Sequence, residues 1–147
     1  MEKVKIIAVG KLKNSDENKL ISEYLKKTPL KLEIKELEVK KPLDPKQLMS
    51  FEANLIREHI PKNTHLVILD PHGKQQTSKE FSDYIFRYPN LTFVIGGAFG
   101  IDKTLLNEAN FILSLSNMTL PHKLARLVLV EQIYRATTIK NNHPYDK

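Results

Sequence analysis

The chain has 147 residues, with 23 lysines and arginines against 17 acidic residues, a formal net charge of +6 and no cysteine. The lack of cysteine excludes disulfides and thiolate metal sites, and the length predicts a single domain over residues 1–147. No signal peptide or membrane-spanning run is readable, so we expect a soluble protein in a reducing, cytoplasmic compartment. The positive charge favours a polyanionic partner such as nucleic acid, but general solubility explains it equally well.

The first half of the chain predicts strands and helices in alternation. "KVKIIAVG" (3–10) is typical of a strand, and the spacing from Asn14 to Glu17 matches a capping box at the start of a helix. "KLEIKELEV" (31–39) predicts a strand near a sheet edge, because its apolar residues largely alternate with charged ones. Residues 45–60 predict a second helix.

The second half continues this alternation. Three apolar runs predict strands: "HLVILD" (65–70), "LTFVIGG" (91–97) and "NFILSLS" (110–116). Residues 71–74, "PHGK", have the composition of a turn. Three further helices are predicted from their first residues. A capping box from Thr77 to Glu80 starts a helix that runs to about Tyr88, and Asp102 is a suitable N-cap for a helix over 103–109. Pro121 is placed for the first turn of a final helix that runs to about Ile139.

This order of elements predicts an α/β fold, a single domain with a mostly parallel sheet and helices on both faces. In such sheets ligands bind outside the carboxyl ends of the strands. Three successive strands lead into "LDPHGK", "IGGAFG" and "SLSNMTLPH". We therefore expect these three loops to meet at one edge of the sheet and to form a binding site there.

The three loops match no common phosphate-binding or hydrolase motif. The glycine spacing differs from that of dinucleotide-binding and P-loop sequences, no G-x-S-x-G elbow is present, and the five histidines lack paired metal spacing, so no metal is expected. A pocket of main chain and aliphatic side chains suits a flat aromatic base, with candidates Leu69, Ile95, Leu115 and Leu120. The alternative is that Gly96 and Gly97 merely turn the chain.

The final helix is apolar on nearly every side over residues 127–130. Such a helix must be covered all round, either by the sheet and a second subunit or entirely within the protomer. Glu131 and Arg135 are spaced to form an ion pair, although Arg135 could instead face RNA.

Several segments together resemble the ribosomal RNA large subunit methyltransferase H family, a small member of the SPOUT class. The resemblance is carried by "VKIIAVGKLK", "VILDPHGKQQTSKEF", "FVIGGAFGI" and the long block "SLSNMTLPHKLARLVLVEQIYRATTIKNNHPYDK", in the family's order and over essentially the whole chain. It implies methylation of N3 of a pseudouridine in 23S rRNA on the assembled ribosome, with S-adenosylmethionine as cofactor. It also implies a homodimer and a carboxyl-terminal trefoil knot.

The resemblance also implies site residues. Those implied for the cofactor are Leu69, Gly96, Gly97, Leu115, Ser116, Asn117, Met118, Thr119 and Leu120. It suggests that the two glycines lack side chains because the adenosine of the cofactor lies against their backbone. RNA contacts are predicted for side chains on or beyond the final helix, namely His122, Arg126, Arg135, His143 and Lys147.

The terminus departs from the family pattern. Relatives usually end in Pro-Tyr-His followed by a basic residue, whereas this chain ends in Pro-Tyr-Asp-Lys. Tyr145 and Asp146 are the catalytic candidates, but an aspartate is a poor base near neutral pH and an anion is unfavourable beside phosphate. The alternatives are a cofactor-binding, ribosome-associated factor without activity and a SPOUT methyltransferase with another RNA target.

Overall fold

The computed structural model describes residues 3–147. Its strands are β1 (Lys3–Val9), β2 (Lys31–Leu37), β3 (His65–Lys74), β4 (Asn90–Ile95) and β5 (Phe111–Leu113). Its helices are α1 (Asp16–Lys27), α2 (Pro45–His59), α3 (Ser78–Ile85), α4 (Lys103–Leu106) and α5 (His122–Lys140). The five strands form one sheet in the order β2-β1-β4-β3-β5, and every pairing is parallel. The predicted α/β class and the edge position of β2 are confirmed.

Alternate residues of the strands supply two cores, one on each face of the sheet. Ile6 and Phe93 point into the core covered by α1, α3 and α5, whereas Ile7 and Val94 point into the core covered by α2 and α4. All four side chains are fully buried. The helices therefore lie on both faces, as expected for parallel strands.

Side-chain caps start most of the helices. Thr77 and Glu80 form the predicted capping box of α3, and Asp102 caps α4 as predicted. The capping box predicted at Asn14 is wrong: Ser15 is the N-cap of α1, and its Oγ accepts the Asn18 N–H at 3.1 Å. Asn14 instead adopts a φ of 60°, a left-handed conformation that asparagine tolerates in loops. Both α3 and α4 end about three residues earlier than predicted.

The turn predicted over residues 71–74 is also wrong, because β3 continues to Lys74. Leu113 of β5 pairs with Leu69 and again with Lys74, so the intervening residues bulge out of the ladder. An ideal Cβ on Gly73 would lie 2.6 Å from the Ile112 carbonyl oxygen. Glycine is therefore required for the close approach to β5, and the bulge moves Asp70 and Pro71 toward the carboxyl edge of the sheet.

Candidate functional site

The loops after β3, β4 and β5 meet at the carboxyl edge of the sheet, where they enclose a cavity of about 430 Å³. Three strands that run in the same direction in adjacent positions end there. The predicted meeting of the three loops is therefore confirmed. Ala125, on the first turn of α5, closes one side of the cavity.

Most of the predicted cofactor residues line this cavity. They are Leu69 after β3, Gly96 and Gly97 after β4, and Leu115, Ser116, Met118, Thr119 and Leu120 after β5. Asn117, within the same segment, is not among the lining residues. That these residues bind a cofactor stays a prediction.

The glycine loop is shaped by contacts within the protomer. An ideal Cβ on Gly96 would lie 2.6 Å from Ile101 Cδ1, and one on Gly97 would lie 2.9 Å from Glu52 Oε2. The Gly100 N–H donates to the Gly97 carbonyl oxygen at 3.1 Å and closes a tight turn. Packing within the chain is thus a second reason for small residues at both positions, and the explanation by adenosine contact stays a prediction.

Glu52, on α2, is a buried carboxyl group directly behind this loop. Its two carboxylate oxygens lie 2.9 and 3.2 Å from the ideal Cβ position of Gly97, and 7% of the residue is exposed. Burial raises the pKa of Glu52 above its ordinary value, because the charged form loses solvation. Glu52 was not predicted as a site residue, although a glutamate on the apolar side of a predicted helix was a possible signal.

The loop after β5 is ordered by its own serines. The Ser114 hydroxyl donates to the Ser116 carbonyl oxygen at 3.0 Å, and Ser116 Oγ accepts the Met118 N–H at 2.9 Å. These bonds turn the chain so that Met118 is 78% exposed at the cavity. Phe99 of the glycine loop is 53% exposed, so two apolar side chains stand near the cavity without cover within the described chain.

Two ionisable side chains line the cavity. Asp70 lies at the β3 bulge, where its Oδ2 accepts the His72 N–H at 2.9 Å, and His122 lies at the start of α5. The His122 ring lies 3.6 Å from the ideal Cβ position of Gly10. Asp70 was not predicted as a site residue, although an acid at the carboxyl end of a buried strand was the available signal.

Arg126 is buried rather than available to RNA. Only 2% of its side chain is exposed, its guanidinium forms an ion pair with Glu36, and it donates to the Gly10 carbonyl oxygen at 2.9 Å. The prediction that Arg126 contacts RNA is therefore wrong. Its role is to fasten α5 to the carboxyl ends of β1 and β2.

The carboxyl-terminal segment folds back on α5. The Tyr145 hydroxyl donates to Glu131 Oε2 at 2.7 Å, and Arg135 bridges Glu131 at 2.8 Å and Asp146 at 2.9 Å. Burial, followed by the hydrogen bonds to Tyr24 and Glu131, raises the pKa of Tyr145, and the Glu131 hydrogen bond raises the pKa of Arg135. Tyr145 is therefore a protonated donor, and neither it nor Asp146 lines the cavity.

The remaining predicted RNA residues differ in accessibility. Arg135 is 26% exposed and engaged with two carboxylates, whereas His143 and Lys147 are exposed at the terminus. His122 is exposed and lines the cavity. RNA contact by these four residues stays a prediction.

Two features are absent from residues 3–147: a membrane-crossing helix and a cluster of metal ligands. No helix there has the length and apolar character needed to cross a membrane. No group of three or more His, Asp or Glu side chains within the same residues is arranged to hold a metal ion.

Comparison with known proteins gives consistent matches over the whole chain. Residues 2–146 match the model of a family described as predicted SPOUT methyltransferase. Three similar proteins carry the name ribosomal RNA large subunit methyltransferase H. That of Acholeplasma laidlawii is 41% identical, and that of Acetivibrio thermocellus is 42% identical, each over 99% of both chains. That of Prochlorococcus marinus strain NATL1A is 44% identical over 97% of this chain and 94% of its own.

Proposed function

The chain belongs to the family of predicted SPOUT methyltransferases, and on that premise we propose that it uses S-adenosylmethionine to methylate N3 of a pseudouridine in 23S rRNA. The name carried by its relatives supports the large ribosomal subunit as the substrate and does not favour the alternatives. The carrying observation is the cavity, because its three loops are those predicted to contact the cofactor. Family membership also implies the trefoil knot and a cytoplasmic enzyme acting on ribosomes, and both belong to the proposal.

The cavity suits S-adenosylmethionine in size and polarity. Its volume of about 430 Å³ lies within the range of ~300–1,000 Å³ typical of small-molecule sites. Leu69, Ile95 and Leu115 offer aliphatic surface to an adenine ring, and Asp70 offers a carboxylate to a positively charged molecule. When bound, the cofactor supplies an electrophilic methyl group on its sulfonium sulfur.

The chain's own part in the reaction is mainly to position the acceptor. Methyl transfer requires the nucleophilic nitrogen in line with the methyl carbon and its sulfur. His122 is the exposed imidazole on the cavity, so we assign it to contact with the acceptor base. For Tyr145 we propose a positioning role, since its hydrogen bond to Glu131 holds the terminal segment on α5, whereas we take Asp146, paired with Arg135, to be a tolerated substitution.

The proposal includes a homodimer. Leu129 and Val130 are fully buried within the protomer, so they need no cover from a second subunit. Within the apolar stretch 127–130, only residues 127 and 128 remain available for a dimer contact. Leu124 is 40% exposed, and residues 127 and 128, on the same side of α5, are half-buried. This stripe supports burial against a second copy in a two-fold contact. Analytical ultracentrifugation should give about twice 17.0 kDa, and a clean monomer would contradict the dimer.

A cofactor titration with a matched pair of variants tests the cavity assignment. Met118→Lys adds a cation beside a site for a cationic cofactor and should weaken binding about fivefold or more, equivalent to ~1 kcal/mol of exposed charge repulsion. Leu20→Lys makes a comparable change at an exposed position on α1 and should leave binding unchanged. Equal affinities for both variants and the wild type by calorimetry would refute the cavity as the cofactor site.

Transfer of a labelled methyl group tests the substrate. Ribosomes purified from cells that lack the modification should accept label from S-adenosylmethionine into their large-subunit rRNA. Label in small-subunit rRNA or transfer RNA instead would favour another RNA target. Cofactor binding without transfer to any RNA would favour an inactive factor.

A further inference from the structure

The expected RNA surface on α5 lacks much of its predicted positive charge. Arg126 is buried against Glu36, and Arg135 is neutralised by Glu131 and Asp146. Affinity for nucleic acid rests largely on cations that contact phosphates. Uncommitted cations at the same edge of the sheet are therefore further candidates for phosphate contact.

A second depression, which we call the β1–β2 groove, supplies such cations. It has a volume of about 480 Å³ and lies at the carboxyl ends of β1 and β2, beside α2. Lys11, Lys35 and Lys41 line it, are exposed, and form no ion pair with any other described residue. The Lys41 ammonium lies 4.5 Å from the centre of the Phe51 ring, which is itself 39% exposed.

The acidic residues of the groove do not cancel this charge. Glu36 is paired with Arg126, and Glu38 is paired with Lys40 at 3.6 Å. The lysines at positions 11, 35 and 41 therefore remain as an uncompensated cluster. A groove with free ammonium groups and one exposed aromatic ring matches the way proteins follow a nucleic-acid backbone.

The groove and the cavity share one edge of the sheet. His122 on the cavity adjoins Gly10, and Lys11 on the groove directly follows Gly10. Two strand spacings of ~4.8 Å separate β2 from β4, which places β2 ~10 Å from the glycine loop of the cavity. At a rise of ~3.4 Å per nucleotide, about three nucleotides span that distance.

We propose that the β1–β2 groove binds the phosphate backbone of the rRNA beside the nucleotide held at the cavity. This inference rests on the proposed function, because it takes the substrate RNA as the occupant. Three unpaired lysines at one edge favour phosphate as the ligand. An acidic peptide of a ribosomal protein is the competing partner, and the salt dependence of binding distinguishes the two.

The opposite edge of the sheet provides a matched control. Lys31 lies on β2, the same strand as Lys35, but at its amino end, and Lys62 lies on the same amino-edge surface. Both are exposed. The double variant Lys31→Gln with Lys62→Gln therefore removes the same charge as Lys35→Gln with Lys41→Gln, but away from the cavity edge.

Binding of both double variants to ribosomes lacking the modification is measured across salt concentration. Each lost phosphate contact lowers affinity about four- to six-fold at 0.15 M salt, so the groove variant should bind ~15–30-fold more weakly. The slope of log affinity against log salt should become less steep by about 1.4–1.8. Cofactor affinity should not change, and the control should match the wild type in ribosome binding.

Equal behaviour of the two double variants would overturn the groove proposal. So would weaker binding by the groove variant with an unchanged salt slope, which would instead indicate a protein partner. Both outcomes are measured by ribosome binding alone, so they test the groove whether or not the wild type transfers a methyl group. Failure of wild-type transfer refutes the proposed function separately.

Discussion

Replacing Glu36 by alanine is expected to destabilise the fold more than replacing its partner Arg126 by methionine. The side chain of Arg126 is 2% exposed and that of Glu36 is 31% exposed, so the two ends of the pair differ in access to water. In Glu36→Ala the guanidinium stays buried with the Gly10 carbonyl oxygen as its remaining partner, and its Nε is already without one. Stranding a buried charge in this way costs about 3–5 kcal/mol.

Arg126→Met leaves a milder defect. The Glu36 carboxylate can be hydrated, and it still accepts the Leu12 N–H at 3.0 Å. The main loss is the hydrogen bond to the Gly10 carbonyl oxygen, for which ~1–3 kcal/mol is the usual cost of an unsatisfied buried group. Methionine retains most of the length and apolar packing of the arginine stem.

Urea denaturation of both variants at equal protein concentration measures the difference in free energy of unfolding, and thermal unfolding measures the difference in Tm. With ~2–4 °C of Tm per kcal/mol, Glu36→Ala should lower Tm by about 6–20 °C and Arg126→Met by about 2–12 °C. A cost for Arg126→Met equal to or above that for Glu36→Ala would refute the argument from burial. Arg126→Met should also leave unchanged the slope of log ribosome affinity against log salt concentration. A slope less steep by about 1 would instead indicate that Arg126 contacts a phosphate of the RNA.

Gly73→Ala should lower the free energy of unfolding in urea by about 1–3 kcal/mol, because its Cβ would press on the Ile112 backbone; an unchanged midpoint would contradict this. The raised pKa of Glu52 means that wild-type stability falls as pH rises from 4.5 through the raised value, and Glu52→Gln should remove that fall; parallel pH profiles would be contrary evidence. Asp146→His breaks the ion pair with Arg135 yet should leave methyl transfer equal or higher, so a sharp loss of turnover would indicate that Asp146 works in catalysis.

Local sequence patterns predicted much of the fold. The capping box from Thr77 to Glu80 acts within four residues, and β2 shows its edge position through charges that alternate with apolar residues. Parallel strands bring their carboxyl ends together, so the meeting of the three loops followed from the order of the elements. These features need no knowledge of distant contacts.

The errors fell where distant residues decide the outcome. Residues 71–74 have turn composition, but the pairing of Lys74 with Leu113 extends the strand. Arg126 resembles a surface cation until Glu36, ninety residues away in sequence, meets it. Neither contact can be predicted from the spacing of residues along the chain.

At the site itself, the glycine loop also depends on contacts that the sequence did not predict. Its place in a binding cavity was predictable from the strand that precedes it. The neighbours that face the two glycines were not predictable, because Ile101 reaches Gly96 across a turn and Glu52 reaches Gly97 from α2, far away in sequence. The linear sequence suggested only a ligand approaching the backbone or a simple turn.

The most direct test of the central claim is to locate the methyl group on the RNA. Ribosomes lacking the modification are incubated with the protein and S-adenosylmethionine, and their 23S rRNA is then copied by reverse transcriptase. Because N3 lies on the pairing edge of the base, its methylation should stop the reverse transcriptase one nucleotide before a single pseudouridine. This stop should appear only when the protein and S-adenosylmethionine are both present. Full-length copies with no methyl group detectable in the 23S rRNA by mass spectrometry would contradict the account.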